Sequence, residues 1–198
     1  MTRLIVVFAL IAAASTASAQ NRQKEQPDGT IAPSDAPSTM PPASPAAGST
    51  WQADPKTGCK LWDEFPEPGE SVSWSGGCKD GYADGHGVAQ WSVNGRLTDR
   101  YEGDYRDGKE NGNGAYRWKN SGDRYDGHYR DNQRDGQGIY TWSDGRRYSG
   151  MWKAGKADGQ GRFITADGQV YDGIWAAGCF HEGDLRAHVG VTAEACGF

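Results

Sequence analysis

The sequence predicts an all-β fold: an elongated single-layer antiparallel sheet of stacked β-hairpin repeats, with a disulfide-linked cap at each end. Three observations carry this reading. From Trp74 the chain repeats itself about every 24 residues, a period that marks a stacked-unit architecture. Each copy opens on the same beat, aromatic-x-Gly-x-aromatic: Tyr101-Gly103-Tyr105, Tyr125-Gly127-Tyr129, Tyr148-Gly150-Trp152 and Tyr171-Gly173-Trp175. Four cysteines, Cys59, Cys78, Cys179 and Cys196, stand in pairs around the two ends of the array.

Residues 1–19 read as a signal peptide. Arg3 gives a positive start, Leu4 to Ala13 is an apolar run too short to span a membrane, and Ala17-Ser18-Ala19 is a small-x-small cleavage site. The chain is therefore expected to be exported, periplasmic or secreted. Residues 20–50 hold six of the nine prolines among Ala, Ser and Asp. With no apolar periodicity, this stretch cannot offset its ordering entropy and reads as a disordered linker. Residues 51–73, with Trp62 and Phe65, read as an N-terminal cap.

The repeats occupy 74–178, as copies at 74–91, 101–118, 125–142 and 148–165 and a partial copy at 171–178. Counted from the first aromatic as zero, glycine falls at +2, +7, +11 and +13, and aromatics at 0, +4 and often +15 and +17. Positions 0, +2 and +4 share one face of a strand, and +11 to +17 share one face of a second, because side chains alternate with period two. The polar stretch +5 to +10 between them reads as the turn. Asn132 takes the +7 slot of its copy, and Asn tolerates the left-handed backbone that glycine supplies elsewhere. Asn94-Gly95, Ser121-Gly122, Asp144-Gly145 and Asp167-Gly168 join the copies and are strong turn signals. Mid-strand glycines weaken a strand unless aromatic rings from neighbouring strands lie over them. Two departures stand out: Cys78 replaces the +4 aromatic of the first copy, and the fifth copy is truncated. Residues 179–198 read as a C-terminal cap, with a short helix expected within 186–195.

An even cysteine count in an exported chain reads as disulfides. Three connectivities are open. Pairing Cys59 with Cys78 and Cys179 with Cys196 is favoured, since each pair brackets one end of the array. Zinc is the alternative, but no Cys-x-x-Cys or paired-histidine spacing supports it.

The pattern resembles the MORN repeat, the membrane occupation and recognition nexus, whose core is Tyr-x-Gly-x-Trp/Tyr, then Gly, then Gly-x-Gly. The stretches from Tyr101 to Trp118, Tyr125 to Trp142 and Tyr148 to Phe163 follow it closely, and Trp74 to Trp91 departs at Cys78. The resemblance implies hairpin sheets and a role in protein or phospholipid binding, with no shared catalytic activity.

Direct evidence of chemistry is sparse. The formal charge is −5, which disfavours nucleic acid and anionic lipid. Arg117 to Arg162 holds ten Lys/Arg against six Asp and reads as the solvated face of the sheet. His86 shares a slot with Asn113, Gln137 and Gln160, so it reads as outward; His128 does too. Asp107 to Gly112 resembles the start of a calcium loop but has Lys109 where an oxygen ligand is needed. Asp123 and Asp126 are ordinary repeat residues rather than an acid/base pair, and His181 and His188 in the C-terminal cap lack a recognisable motif. No metal or cofactor is implied. The expected function is a non-catalytic interaction module that binds another envelope protein through its aromatic face. Binding of cell-wall or extracellular glycan is the alternative, and phospholipid binding ranks lower. Candidate binding residues are Tyr105, Tyr116, Trp118, Tyr129, Tyr140, Trp142 and Trp152, since Tyr and Trp are favoured contact residues.

Overall fold

A computed structural model describes residues 48–198. The expected leader at 1–19 and all but the last residues of the expected linker lie outside them. The N-terminal part holds β1 (Thr50–Ala53), β2 (Lys60–Asp63), β3 (Glu70–Trp74), β4 (Gly77–Lys79) and β5 (Tyr82–Val93). The array continues through β6 (Arg96–Arg106), β7 (Lys109–Trp118), β8 (Arg124–Arg130), β9 (Gln133–Thr141), β10 (Arg147–Lys153), β11 (Lys156–Ile164) and β12 (Val170–Ala176). β13 (Cys179–Glu182) and β14 (Leu185–His188) close it. One 14-stranded sheet results, in which β5 to β14 pair in sequence order.

The glycines make this single layer possible. Tyr101, Tyr125 and Tyr148 are fully buried, and each ring lies over the +13 glycine of the facing strand. A Cβ at Gly114, Gly138 or Gly161 would collide with the Tyr101, Tyr125 or Tyr148 ring, respectively. The phenol groups then donate to backbone carbonyls three residues on: Tyr101 to Asp104 (3.2 Å), Tyr125 to His128 (3.1 Å) and Tyr148 to Met151 (3.0 Å). A buried hydroxyl without a partner would cost roughly 1–3 kcal/mol, so the first ring of each beat is satisfied in its polar atom as well as its ring, whereas the +4 hydroxyls of Tyr105 and Tyr129 are buried without a partner. The +4 rings pack edge-on, as Tyr105 against Tyr101 and Trp152 against Tyr148 do at 5.3 and 4.9 Å.

The hairpin turns are tighter than the sequence reading had them. Only +6 and +7 turn, as in Asp107-Gly108 with φ of 51° and 76°, and β7 already starts at Lys109. The +11 glycine is not a flat strand position but the seat of a bulge, where the β6–β7 register shifts between Gly103 and Asp104 and Gly112 takes φ 66°. Each tip leans on the copy before it. Backbone N–H groups of Gly108, Asn132, Gly155 and Gly178 donate to the carbonyls of Ala83, Glu110, Arg134 and Ala157 at 2.7–3.0 Å. The first copy is not one continuous hairpin: β3 and β4 pair separately with β5.

The cysteines pair as Cys59–Cys78 and Cys179–Cys196, the chemistry of an oxidising compartment. In the N-terminal part, the buried Asp54 carboxylate accepts from Lys56 N, Thr57 Oγ1 and Trp74 N. Burial opposes its charge, but these hydrogen bonds hold its pKa below the usual value. At the other end the helix expected within 186–195 does not form. Leu185–His188 is a strand paired with β13, and only Glu194–Cys196 makes a 3-10 turn. The β13–β14 hairpin prevails because it extends the ladder one strand further.

Candidate functional site

Departures from the repeat gather in one place. Between β2 and β3 the chain leaves the sheet as a strap. Trp62 N bonds to Gly108 O at the hairpin tips (2.8 Å), and Gly69 O accepts from Asn94 N at the connecting turns (3.0 Å). The strap thus crosses the sheet from one row of turns to the other. It bounds a cavity of about 330 Å³ whose other walls are Trp91 of β5, Asp99 of β6, Glu110, Tyr116 and Trp118 of β7, and Tyr129, Asn132 and Arg134 at the β8–β9 hairpin. From the strap side come Trp62, Asp63, Glu64, Phe65, Glu67 and Glu70.

The rings here differ from the rest of the array. Tyr116 and Trp118 are only partly buried. Their rings stack at 4.3 Å, and Trp91 stacks on Tyr116 at 6.0 Å, giving a three-ring platform. Of the candidate binding residues, Tyr116, Trp118 and Tyr129 line the cavity. Tyr105, Tyr129, Tyr140, Trp142 and Trp152 are at most 5 % exposed and belong to the packed core, so Tyr129 backs the cavity from within the core.

Two buried charged residues occupy the +9 slot, which reads Ala83, Glu110, Arg134 and Ala157 along the array. All four are buried. Position +9 shares the inward face with +13, +15 and +17, so a charge there points to the core. Arg134 therefore departs from the solvated face expected of the basic segment 117–162. Its guanidinium lies 5.0 Å from the Trp152 ring and 5.4 Å from Tyr140, and donates to Gly155 O at 3.1 Å. Burial lowers its pKa. Burial pushes the Glu110 carboxyl well above the ordinary range, with Arg134 offsetting part of that. Asn132 takes φ 69° at the tip, and its Oδ1 accepts from Glu110 N at 2.7 Å. The asparagine thus supplies the left-handed turn and also fastens the third copy to the second. The +9 pair escapes a sequence reading that treats +5 to +10 whole as a turn. Extending the period-two run back from +11 by two residues exposes it.

The carboxyls of the strap are also displaced. Burial raises Glu64 to about 7, against opposing attraction from Arg134 and Lys109. Burial, with a contribution from neighbouring Asp63, raises Glu70 to about 7. Burial raises Asp99 to about 6. Asp63 is buried, and its Oδ1 accepts from Phe65 N at 2.9 Å.

Other sequence candidates lie elsewhere. His86 is exposed and meets Asp104 at 3.0 Å, and His128 is exposed. Asp126 pairs with Arg117 at 2.9 Å, while the buried Asp123 accepts from Tyr140 Oη. His188 Nδ1 contacts Val191 O at 2.8 Å. Among the described residues no cluster of His, Cys, Asp or Glu has the makings of a metal site.

The family model of the MORN repeat matches residues 74–96, 101–122, 125–146 and 148–170. The chain is a MORN-repeat protein. MORN repeats are interaction modules and are not in themselves enzymes. The four matches coincide with the four complete copies, and the half copy at 171–178 falls beyond them; β12 nevertheless continues the same ladder against β11. No curated protein matches the chain at a meaningful level.

Proposed function

We propose that this MORN-repeat protein is an exported, non-catalytic interaction module, periplasmic or secreted, that binds another envelope protein in the groove beneath the strap. The observation that carries this reading is the partly open Tyr116–Trp118 pair, backed by the buried Trp91 ring. Elsewhere the repeat seals its rings into the core, and here it leaves them available beside polar side chains. Aromatic rings flanked by polar groups are the usual anchors of protein contacts. The same platform favours one second reading, stacking of a neutral sugar ring from wall or extracellular glycan. Phospholipid binding draws less support, since acids dominate the groove. A photoreactive residue at position 116 tests the reading, with one at Ile174, which is 67 % exposed, as control. Cross-linking in the native envelope should yield one discrete protein adduct from position 116 and none from position 174. Adducts from 174 alone, or only with glycan from 116, would refute it.

A further inference from the structure

The groove has a charge character that the repeat does not require. The strap contributes Glu64 and Glu67, and the strand ends that it joins contribute Asp63 and Glu70, to which the sheet adds Asp99 and Glu110. Only Arg134 opposes them from the lining, with Lys109 nearby, its Nζ 5.8 Å from the Trp62 ring. Most of these acids sit where simple solvation of a charged surface does not explain them. Asp63 is only 7 % exposed, and its carboxylate lies against that of Glu70, whose pKa it helps to raise. Two carboxyls held this close in a poorly solvated site favour a group that brings both N–H donors and positive charge. The open rings of Tyr116 and Trp118 present π-faces, which attract cations as well as apolar groups.

We propose that the groove binds a cationic side chain, the guanidinium or ammonium group of an arginine or lysine presented by the partner protein. The stem of such a side chain lies along the Tyr116–Trp118 platform, and its head meets Asp63 and the neighbouring strap carboxyls. Planar guanidinium suits both contacts, since it stacks on rings and bridges carboxylate oxygens. An anionic ligand is opposed by the excess of acids over Arg134 in the lining. A neutral sugar would bring no positive charge to them. The inference rests on the protein-binding reading above and specifies what that partner must carry.

Proton linkage gives the proposal a signature. Glu64 and Glu70, held by burial at about 7, and Asp99, at about 6, are partly protonated in the free groove near neutrality. An incoming cation favours their charged forms, so protons are released on binding and affinity rises with pH.

The test is an NMR titration of the 15N-labelled full chain with N-acetyl-arginine amide, following the indole N–H signals of Trp62 and Trp118. Saturable shifts of both are expected, with affinity rising between pH 5.5 and 7.5. N-acetyl-citrulline amide, the neutral isostere, should bind about tenfold more weakly or worse, the loss expected for one charge-assisted hydrogen bond. Asp63→Asn keeps the oxygen that accepts from Phe65 N and should lose a similar factor. Glu67→Gln, at an exposed position, should weaken binding without any risk to the fold. Equal binding of the arginine and citrulline probes overturns the cation assignment but leaves the protein groove standing. Preference for chitobiose over both overturns the inference and the protein reading together. No saturable shift from any probe overturns the inference alone, because cross-linking at position 116 judges the protein reading independently.

Discussion

Replacing Gly138 with Ala should destabilise the chain by about 2–4 kcal/mol, although the exchange puts a better strand former on an ordinary backbone. Gly138 is not among the positive-φ glycines, so no backbone strain arises. Without a steric conflict, the exchange would add about 0.4–1 kcal/mol of stability through the unfolded state. The new Cβ, however, would come within 2.7 Å of Tyr125 Cε2 and closer still to Cζ and Oη. Tyr125 is fully buried and cannot swing into solvent. Moving its ring means overpacking, at about 1–3 kcal/mol, and straining the 3.1 Å bond to His128 O, worth about 1 kcal/mol. Urea unfolding followed by Trp fluorescence and far-UV circular dichroism measures the sum. A Tyr125→Phe background supplies the internal check. Removing Oη takes away the nearest atom, so the Gly138→Ala penalty should shrink by about 1 kcal/mol. A neutral or stabilising Gly138→Ala would refute the claim that glycine serves as the seat of a ring.

Two further outcomes follow from the same geometry. Glu64, Glu70 and Asp99 have folded pKa values raised above their ordinary 4.5, 4.5 and 3.8, so the folded chain binds more protons than the unfolded one between about pH 4 and 7. Stability should therefore fall as pH rises through that window; the urea midpoint should be higher at pH 5 than at pH 7.5, and Glu64→Gln should raise it at 7.5 but not at 5. A midpoint that climbs toward pH 7.5 contradicts this. Changing both Cys179 and Cys196 to Ser opens a link spanning 17 residues and should cost about 3 kcal/mol, read as a lower thermal midpoint that reducing agent no longer shifts at that end.

Much of the fold was legible in the sequence because the array is built from local, repeated rules. Tyr101, Gly103 and Tyr105 announce a strand face by spacing alone, and Asn94-Gly95 and Asp107-Gly108 announce their turns by backbone chemistry. Asn132 was legible as a left-handed turn for the same reason. The paired cysteines were legible from their places at the array ends. The site was far less legible. The strap from Glu64 to Gly69 has no periodicity, and its path is fixed by two backbone hydrogen bonds to residues far along the chain. Glu110 and Arg134 were hidden because a charged residue beside a glycine-rich turn ordinarily points to solvent. Their burial depends on β7 and β9 starting immediately after a two-residue tip, a detail set by the bulge at +11. The candidate aromatics could not be sorted either: Trp118 and Trp142 occupy the same +17 slot, and only the neighbouring copies and the strap make one partly open and the other closed.

That pair offers the most direct test of the central claim, that the aromatic beat is scaffold except where it opens at the groove. The measurement is the urea unfolding free energy of Trp118→Ala beside Trp142→Ala. Trp142 is 5 % exposed and packs on Phe163 and Tyr140, so its loss should cost about 3–5 kcal/mol. Trp118 is only partly buried, and its loss should cost about 1–2 kcal/mol, in keeping with the smaller area it hides. Equal costs at the two positions would contradict the account, because Trp118 would then be one more structural ring.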